Sequence, residues 1–331
     1  MPGSGDAATR SLQRTAEELH IMAQADKSNQ PRPASDPKVA LPASVRRESG
    51  RAGLPVLLVD GPAARAEIYL HGATVTDWTP AGHDPVLWVS SQSRFTRDGA
   101  IRGGIPICFP WFGAQAGSPQ SPSHGFARLS EWSLLEAQDD GEVVRVRLRL
   151  TEEDATGAGT WPHRFEAVYT VVVGTRLSLA LQVTNRGNEP VVFEEALHTY
   201  FGVGDVRATE VAGLEGTAFY DRLAGPAPVP GEREPVRFGA ETDRIYVPTT
   251  ASTTIRDKAA SRSVLIRKEG SAATVVWNPW AGKARAMADF GDDEWQRMLC
   301  VETGNIRDAA IRLEPGAVHT MVATLEVSSR L

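Results

Sequence analysis

Residues 144–150 run Val, Arg, Val, Arg, Leu, Arg, Leu, so every second position is apolar and the others carry three arginines. A period of two puts all the apolar side chains on one face, as in a half-buried strand. Leu177, Leu179, Leu181 and Val183 alternate in the same way and stop at the turn Asn185-Arg186-Gly187-Asn188. Val318, Val322 and their neighbours predict a strand near the C-terminus. Further strands are predicted at 56–60, 66–78, 165–173, 191–201, 263–268, 274–277 and 298–302. No long segment after residue 50 has the 3.6-residue apolar period of a helix. Many short strands among 30 Gly and 22 Pro predict an all-β chain of antiparallel sheets packed face to face. No repeat of fixed period suggests a propeller or solenoid.

The first part of the chain reads differently. Thr15-Ala16-Glu17-Glu18 has the form of a capping box, and Leu19 and Met22 continue an apolar stripe, which predicts a short helix near 11–25. Residues 29–37 are a linker by composition, with prolines at 31, 33 and 37. Residues 1–48 are therefore expected to form an extension and 49–331 the folded domain. A length of 331 residues admits two average domains, but one large β-sandwich fits it as well.

Charge narrows the partners. Thirty-five Lys and Arg against 41 Asp and Glu give a formal net charge of -6, which supplies no general attraction to nucleic acid or an anionic membrane. An anionic ligand must be held by a few placed cations. Cys108 and Cys300 are each flanked by apolar residues, the pattern of buried thiols in a reducing compartment. No apolar run is long enough to span a bilayer, and no signal-peptide core follows Met1. The cytoplasm is the expected location and a monomer the starting expectation for assembly.

Several chemistries have no sequence basis. Arg102-Gly103-Gly104-Ile105-Pro106 lacks the G-K-[ST] of a phosphate loop and sits in no strand–GxGxxG–helix unit. No H-E-x-x-H or paired Cys-x-x-Cys points to zinc, and no G-x-S-x-G elbow is present. Neither metal nor cofactor is expected. What stands out is polar residues set in apolar or glycine-rich segments. Residues 100–113 are hydrophobic apart from Arg102, and Ser123-His124-Gly125-Phe126-Ala127-Arg128 follows a Ser/Pro/Gly loop. His198 falls on one face of a predicted strand with Ala196 and Tyr200, and Glu302 follows Cys300 on a strand expected to break at glycine. A carboxylate there is costly to bury unless it is paired, hydrogen-bonded or used.

Over about residues 50–330 the chain resembles the hexose-6-phosphate mutarotases, the phosphosugar branch of the aldose 1-epimerase (galactose mutarotase-like) superfamily. The resemblance rests on I-R-G-G-I-P-x-C-F-P-W-F-G at 101–113, H-G-F-A-R at 124–128, L-H-T-Y-F at 197–201, E-T-D-R-I-Y at 241–246 and C-V-E-T-G-N at 300–305. It implies a large antiparallel β-supersandwich and anomer interconversion of a hexose 6-phosphate through the open-chain aldehyde. It implies Glu302 as general base and His198 as general acid, with His124 near the sugar oxygens. Arg102 and Arg128 are implied as phosphate and hydroxyl clamps, since a guanidinium grips such oxygens with two parallel donors. Asp243 is implied as a sugar-hydroxyl acceptor. Ser123 is implied to contact substrate, although it departs from the glutamine of certain relatives.

Read without the resemblance, His198 is a satisfied structural histidine, Glu302 the buried partner of an arginine, Arg102 and Arg128 salt-bridging surface residues, and Asp243 a turn residue. Phe109, Trp111 and Phe112 read as core, with one aromatic available to floor a sugar site. Two rival functions remain at this level: an aldose 1-epimerase for unphosphorylated sugars and a non-catalytic carbohydrate-binding sandwich. The two arginines favour a phosphosugar over the first, and the retention of both His198 and Glu302 disfavours the second.

Overall fold

The computed structural model describes residues 39–329. The helix expected near 11–25 and the linker at 29–37 lie outside the described residues. The described chain is dominated by strands in antiparallel sheets of nine, eight, four and two strands. Its α-helix is the short Trp280–Ala286.

The nine-stranded sheet contains the strands whose alternation is plainest. Val144–Thr151 buries Val144, Val146, Leu148 and Leu150 while its arginines stay half-exposed. It pairs along its length with Phe165–Val173, which pairs with Arg176–Asn185, which pairs with Val318–Ser328. The eight-stranded sheet runs through Thr242–Tyr246, Ala273–Asn278, Met298–Asn305 and Glu195–Leu197 to Ile107–Cys108, and Tyr200–Gly202 also pairs with Met298–Asn305. One apolar core takes Leu148 and Tyr169 from the nine-stranded sheet, Phe201 and Leu299 from the eight-stranded sheet, and Ile68 and Trp78 from the four-stranded one. Burial of each such large side chain contributes about 1.5–3 kcal/mol relative to exposure.

Some expected elements differ in detail. The segment 66–78 is a hairpin, Ala64–Tyr69 and Val75–Pro80, because Gly72 and Ala73 both adopt positive φ between them. The segment 191–201 is three short strands, Val191–Phe193, Glu195–Leu197 and Tyr200–Gly202. His198 therefore lies in a break between strands, not within one. The strand holding Glu302 does not stop at Gly304 but continues to Asn305. Gly304 is needed there because a Cβ would sit 2.8 Å from the Glu195 carbonyl oxygen of the adjoining strand. The ordered sheet also begins before residue 49: Val45–Ser49 pairs with Pro55–Asp60, and Val45 is buried in the core. That edge strand buries only Val45 of its five residues, so it offers no alternation to read.

Candidate functional site

The eight-stranded sheet presents a row of side chains across four strands. Asp243 pairs with Trp277, Trp277 with Cys300, and Cys300 with Tyr200. Two residues beyond Cys300, and so on the same face, stands Glu302. The break after Leu197 brings His198 over this face, with its ring stacked on Tyr200 at 4.8 Å and edge-on to Trp277 at 6.2 Å. Its backbone is fixed by the glycine-rich segment, since His198 N–H donates to Pro106 O at 3.0 Å and Tyr200 N–H to Gly104 O at 2.9 Å. Gly103 and Gly104 have positive φ, and a Cβ on either would lie within 2.5 Å of the backbone of Val89 or Val75. Glycine is therefore required twice in succession for this loop to seat beside the sheet.

His198 Nε2 lies 3.5 Å from Glu302 Oε1, and both side chains are almost wholly buried. His198 Nδ1 and Glu302 Oε2 are buried with no hydrogen-bond partner. Leaving a buried polar atom unpaired costs about 1–3 kcal/mol, so two such atoms on neighbouring side chains mark a place built for something else. Burial, reinforced by the charge of Asp243, pushes the Glu302 carboxyl well above the usual carboxylate range. Burial, with Arg128, Arg102 and Arg222 adding repulsion, holds His198 well below the usual imidazole value. Both shifts favour the neutral forms, a carboxylic acid beside a neutral imidazole. Carboxylic acid with imidazole, and carboxylate with imidazolium, carry the same number of protons and are alternative placements of one proton.

His124 faces His198 edge-on at 5.5 Å. It has a φ of 63°, a strained conformation for a residue with a side chain. Its Nδ1 accepts from Gly113 N–H at 3.3 Å and lies 3.4 Å from Cys108 Sγ. Burial keeps the ring neutral, so with Nδ1 accepting, Nε2 carries the hydrogen. Gly125, also at positive φ, follows it because a Cβ there would meet Phe109 O at 2.0 Å.

Arg102 donates to Tyr200 Oη at 3.1 Å and pairs with Asp289 at 3.0 Å. Arg128 donates from Nη2 to the Ser123 carbonyl at 2.8 Å, and its Nε is buried without a partner. Ser123 sits at the exposed rim and contributes that carbonyl. Ser123, Arg102, Arg128 and Asp289 line one cleft of about 310 Å³. Asp243 is buried, and burial raises its carboxyl against the pull of Arg222, 3.5 Å away. All seven sequence-derived residues therefore border one region of the fold.

Sequence reasoning missed Arg222, Asp289 and Glu194. Arg222 follows the short strand Phe219–Asp221, where no motif signals it, and lies 5.9 Å over the Phe112 ring. Glu194 accepts from Phe112 N–H at 2.8 Å and Arg307 N–H at 2.6 Å, tying the 109–113 turn to another loop. The two cysteines are free and buried, and burial pushes both thiols up, away from reactivity. Among the described residues no three His, Cys, Asp or Glu side chains converge as metal ligands, and no helix is long and apolar enough to cross a membrane.

Comparison with known proteins agrees with this geometry. Residues 55–326 match the family model described as aldose 1-epimerase. A Cenchrus ciliaris protein named as a candidate glucose-6-phosphate 1-epimerase is 38% identical over 262 residues, spanning 76% of this chain and 78% of its own length. An Escherichia coli K12 protein of the same name is 34% identical over 250 residues, covering 76% and 83%. The crystal structure of YeaD from Salmonella typhimurium, described as a candidate mutarotase, superposes with a TM-score of 0.81 at 30% identity, over 88% of this chain and 96% of that one. With a family match across most of the folded chain, the protein belongs to the aldose 1-epimerase family.

Proposed function

We propose that the protein is a hexose-6-phosphate mutarotase, interconverting the α and β anomers of glucose 6-phosphate and similar aldohexose 6-phosphates. The observation that carries the reading is the pair of unpartnered buried atoms, His198 Nδ1 and Glu302 Oε2, within the electrostatic reach of Arg128 and Arg102, which also line a cleft. The name shared by the Cenchrus and Escherichia relatives supports the phosphosugar.

Ring opening removes the proton from the anomeric hydroxyl while a second proton is delivered to the ring oxygen. The C1–O5 bond breaks as the C1 carbonyl forms, and rotation about C1–C2 presents the other face for closure with the two roles reversed. No proton is gained or lost overall, so a pair that stores one proton between a carboxyl and an imidazole is sufficient. Glu302 acts as base and His198 as acid in the carboxylate–imidazolium placement. The alternative placement exchanges the roles, as the return step itself does. Asp243 and the Nε2–H of His124 offer the sugar hydroxyls an acceptor and a donor. Arg102 and Arg128 hold the phosphate. The buried free thiols fit a reducing cytoplasm.

One observation favours a second reading. Arg102 is already paired with Asp289, so an unphosphorylated aldose would not leave this cation unpaired. NMR exchange measurements of anomeric interconversion, on glucose 6-phosphate and on glucose, separate the two. We expect preference for the phosphosugar, and a fall in kcat of about 10²–10⁴ in Glu302→Gln and His198→Asn, with glucose 6-phosphate binding retained. Equal turnover of both sugars by the unaltered protein would establish the second reading instead.

A further inference from the structure

We infer that Arg94, in the cleft lined by Arg102 and Arg128, is a third phosphate-binding residue and sets the protein's preference for phosphorylated over free sugar. The inference rests on the mutarotase reading above and assigns a role to a residue outside every motif that suggested it.

Arg94 lines the same cleft as Arg102, Ser123 and Arg128. Its two companions there are constrained. Arg102 has committed three of its five donors to Asp289 and Tyr200, and Arg128 has given one to the Ser123 carbonyl. Arg94 is exposed, and no hydrogen bond or ion pair joins its guanidinium to another described residue. Asp98, on whose carboxyl Arg94 has a lesser effect, is taken up by Thr96 and its own backbone. The cleft is lined by three arginines and two aspartates, Asp98 and Asp289. Without Arg94 its charges cancel, and a phosphate near neutral pH carries close to two negative charges. Arg94 supplies the net positive charge of the wall.

The side chain is free, but its base is held. Ser93 Oγ accepts from Arg102 N–H at 2.8 Å, which ties the residue before Arg94 to the start of the glycine-rich loop. Phe95, the residue after it, is buried with Leu54, Val56, Tyr69 and Ile101. Its ring lies 5.1 Å from that of Tyr69. Further along, His71 Nε2 lies 2.8 Å from the Gly99 carbonyl. A fork on a fixed base costs less to order around an anion than one on a mobile loop. Arg97 is a built-in control: the same residue type, exposed, three positions along the same loop, and not part of the cleft lining.

The test compares Arg94→Gln, Arg94→Lys and Arg97→Gln in anomeric exchange of glucose 6-phosphate and of glucose, with inorganic phosphate as inhibitor. Arg94→Gln is expected to raise KM for glucose 6-phosphate about three- to tenfold, an exposed charge-assisted contact being worth less than a buried one. The inhibition constant for inorganic phosphate should rise in parallel, while kcat and the constants for glucose stay within about twofold. Arg94→Lys should recover part of the loss, and Arg97→Gln should match the unaltered protein. Equal effects of Arg94→Gln and Arg97→Gln would mean a general field and overturn the inference, as would an Arg94→Gln variant with unchanged KM and phosphate inhibition. An unaltered protein that turns over glucose equally well would overturn the phosphosugar reading. Phosphate inhibition of its glucose exchange, and the response of that inhibition to Arg94→Gln, would then still decide for or against Arg94.

Discussion

Asp243, Arg102, Arg128 and Arg222 act on one unpaired imidazole nitrogen and one unpaired carboxyl oxygen, and Arg222 is the most exposed of the four. Its charge acts on Glu302 and on His198 alike. Removing a cation destabilises a nearby carboxylate, which raises Glu302 further. It also relieves repulsion on an imidazolium, which raises His198. Both shifts have the same sign. If the pair works with one shared proton, the pH dependence of kcat/KM is a bell, bounded by gain of a second proton on the acid side and loss of the first on the alkaline side. Arg222→Gln is therefore expected to move both limbs toward higher pH, whichever group holds the proton. Arg222→Lys, which keeps the charge, should leave them close to their original places. A pH profile that keeps its position while activity drops uniformly would show that Arg222 acts only by holding Asp243 in place.

The loops that carry the site are anchored by aromatic packing. Phe109 begins the turn that reaches Phe112 and Gly113, and its ring lies 5.2–6.3 Å from those of Phe126, Trp161, Phe165 and Phe193. Phe109→Ala should cost about 3–5 kcal/mol of stability, read as a lowered urea midpoint with little change in slope. Phe109 O also accepts from Phe126 N–H and Ala127 N–H at 3.0 and 3.2 Å, so activity should fall beyond what unfolding alone explains. Elements such as Val144–Thr151 and Arg176–Asn185 were legible in the sequence because they have one face in the core and another in solvent. The hairpin turn at residues 70–74 was not, since Leu70, His71, Gly72, Ala73 and Thr74 are all buried, and His71 and Thr74 do not mark a solvent-facing break. Thr253–Asp257 and Thr209–Ala212 were missed for a related reason: Thr253, Asp257, Thr209 and Glu210 are buried polar residues that obscure the period. The site residues set in apolar motifs stood out, as His198 and Glu302 do. Arg222, Asp289 and Arg94 did not, because an arginine or aspartate in an ordinary loop looks the same whether it faces a cleft or bulk water.

At the scale of the whole molecule, the sheet that carries Glu302 is joined to the nine-stranded sheet by a buried polar bridge. Glu195 Oε1 accepts from Asn305 Nδ2 at 2.9 Å and lies 2.9 Å from His319 Nε2, and Asn305 also donates to Gly270 O at 2.7 Å. Glu195 and Asn305 face each other in the eight-stranded sheet, whereas His319 belongs to Val318–Ser328 in the nine-stranded one. Asn305 has both amide hydrogens committed, so the remaining partner of Glu195 is His319, which must carry a proton on Nε2 to donate. Burial alone would lower the His319 value, but the hydrogen bond and charge of Glu195 outweigh it and hold the imidazole above its ordinary range. A group whose folded value is raised contributes stability that is complete below its unfolded value, near ~6.5 for histidine. That contribution is lost as pH rises through the folded value. Stability to urea is therefore expected to decline from about pH 6.5 upward, and His319→Gln, which keeps a donor without titrating, should flatten that decline. The same variant should leave the pH profile of anomeric exchange in place, because the Glu195–His319 bridge is separate from the His198–Glu302 pair. A urea midpoint that is level above pH 6.5 in the unaltered protein, or a decline that persists in His319→Gln, would show that some other group carries the linkage.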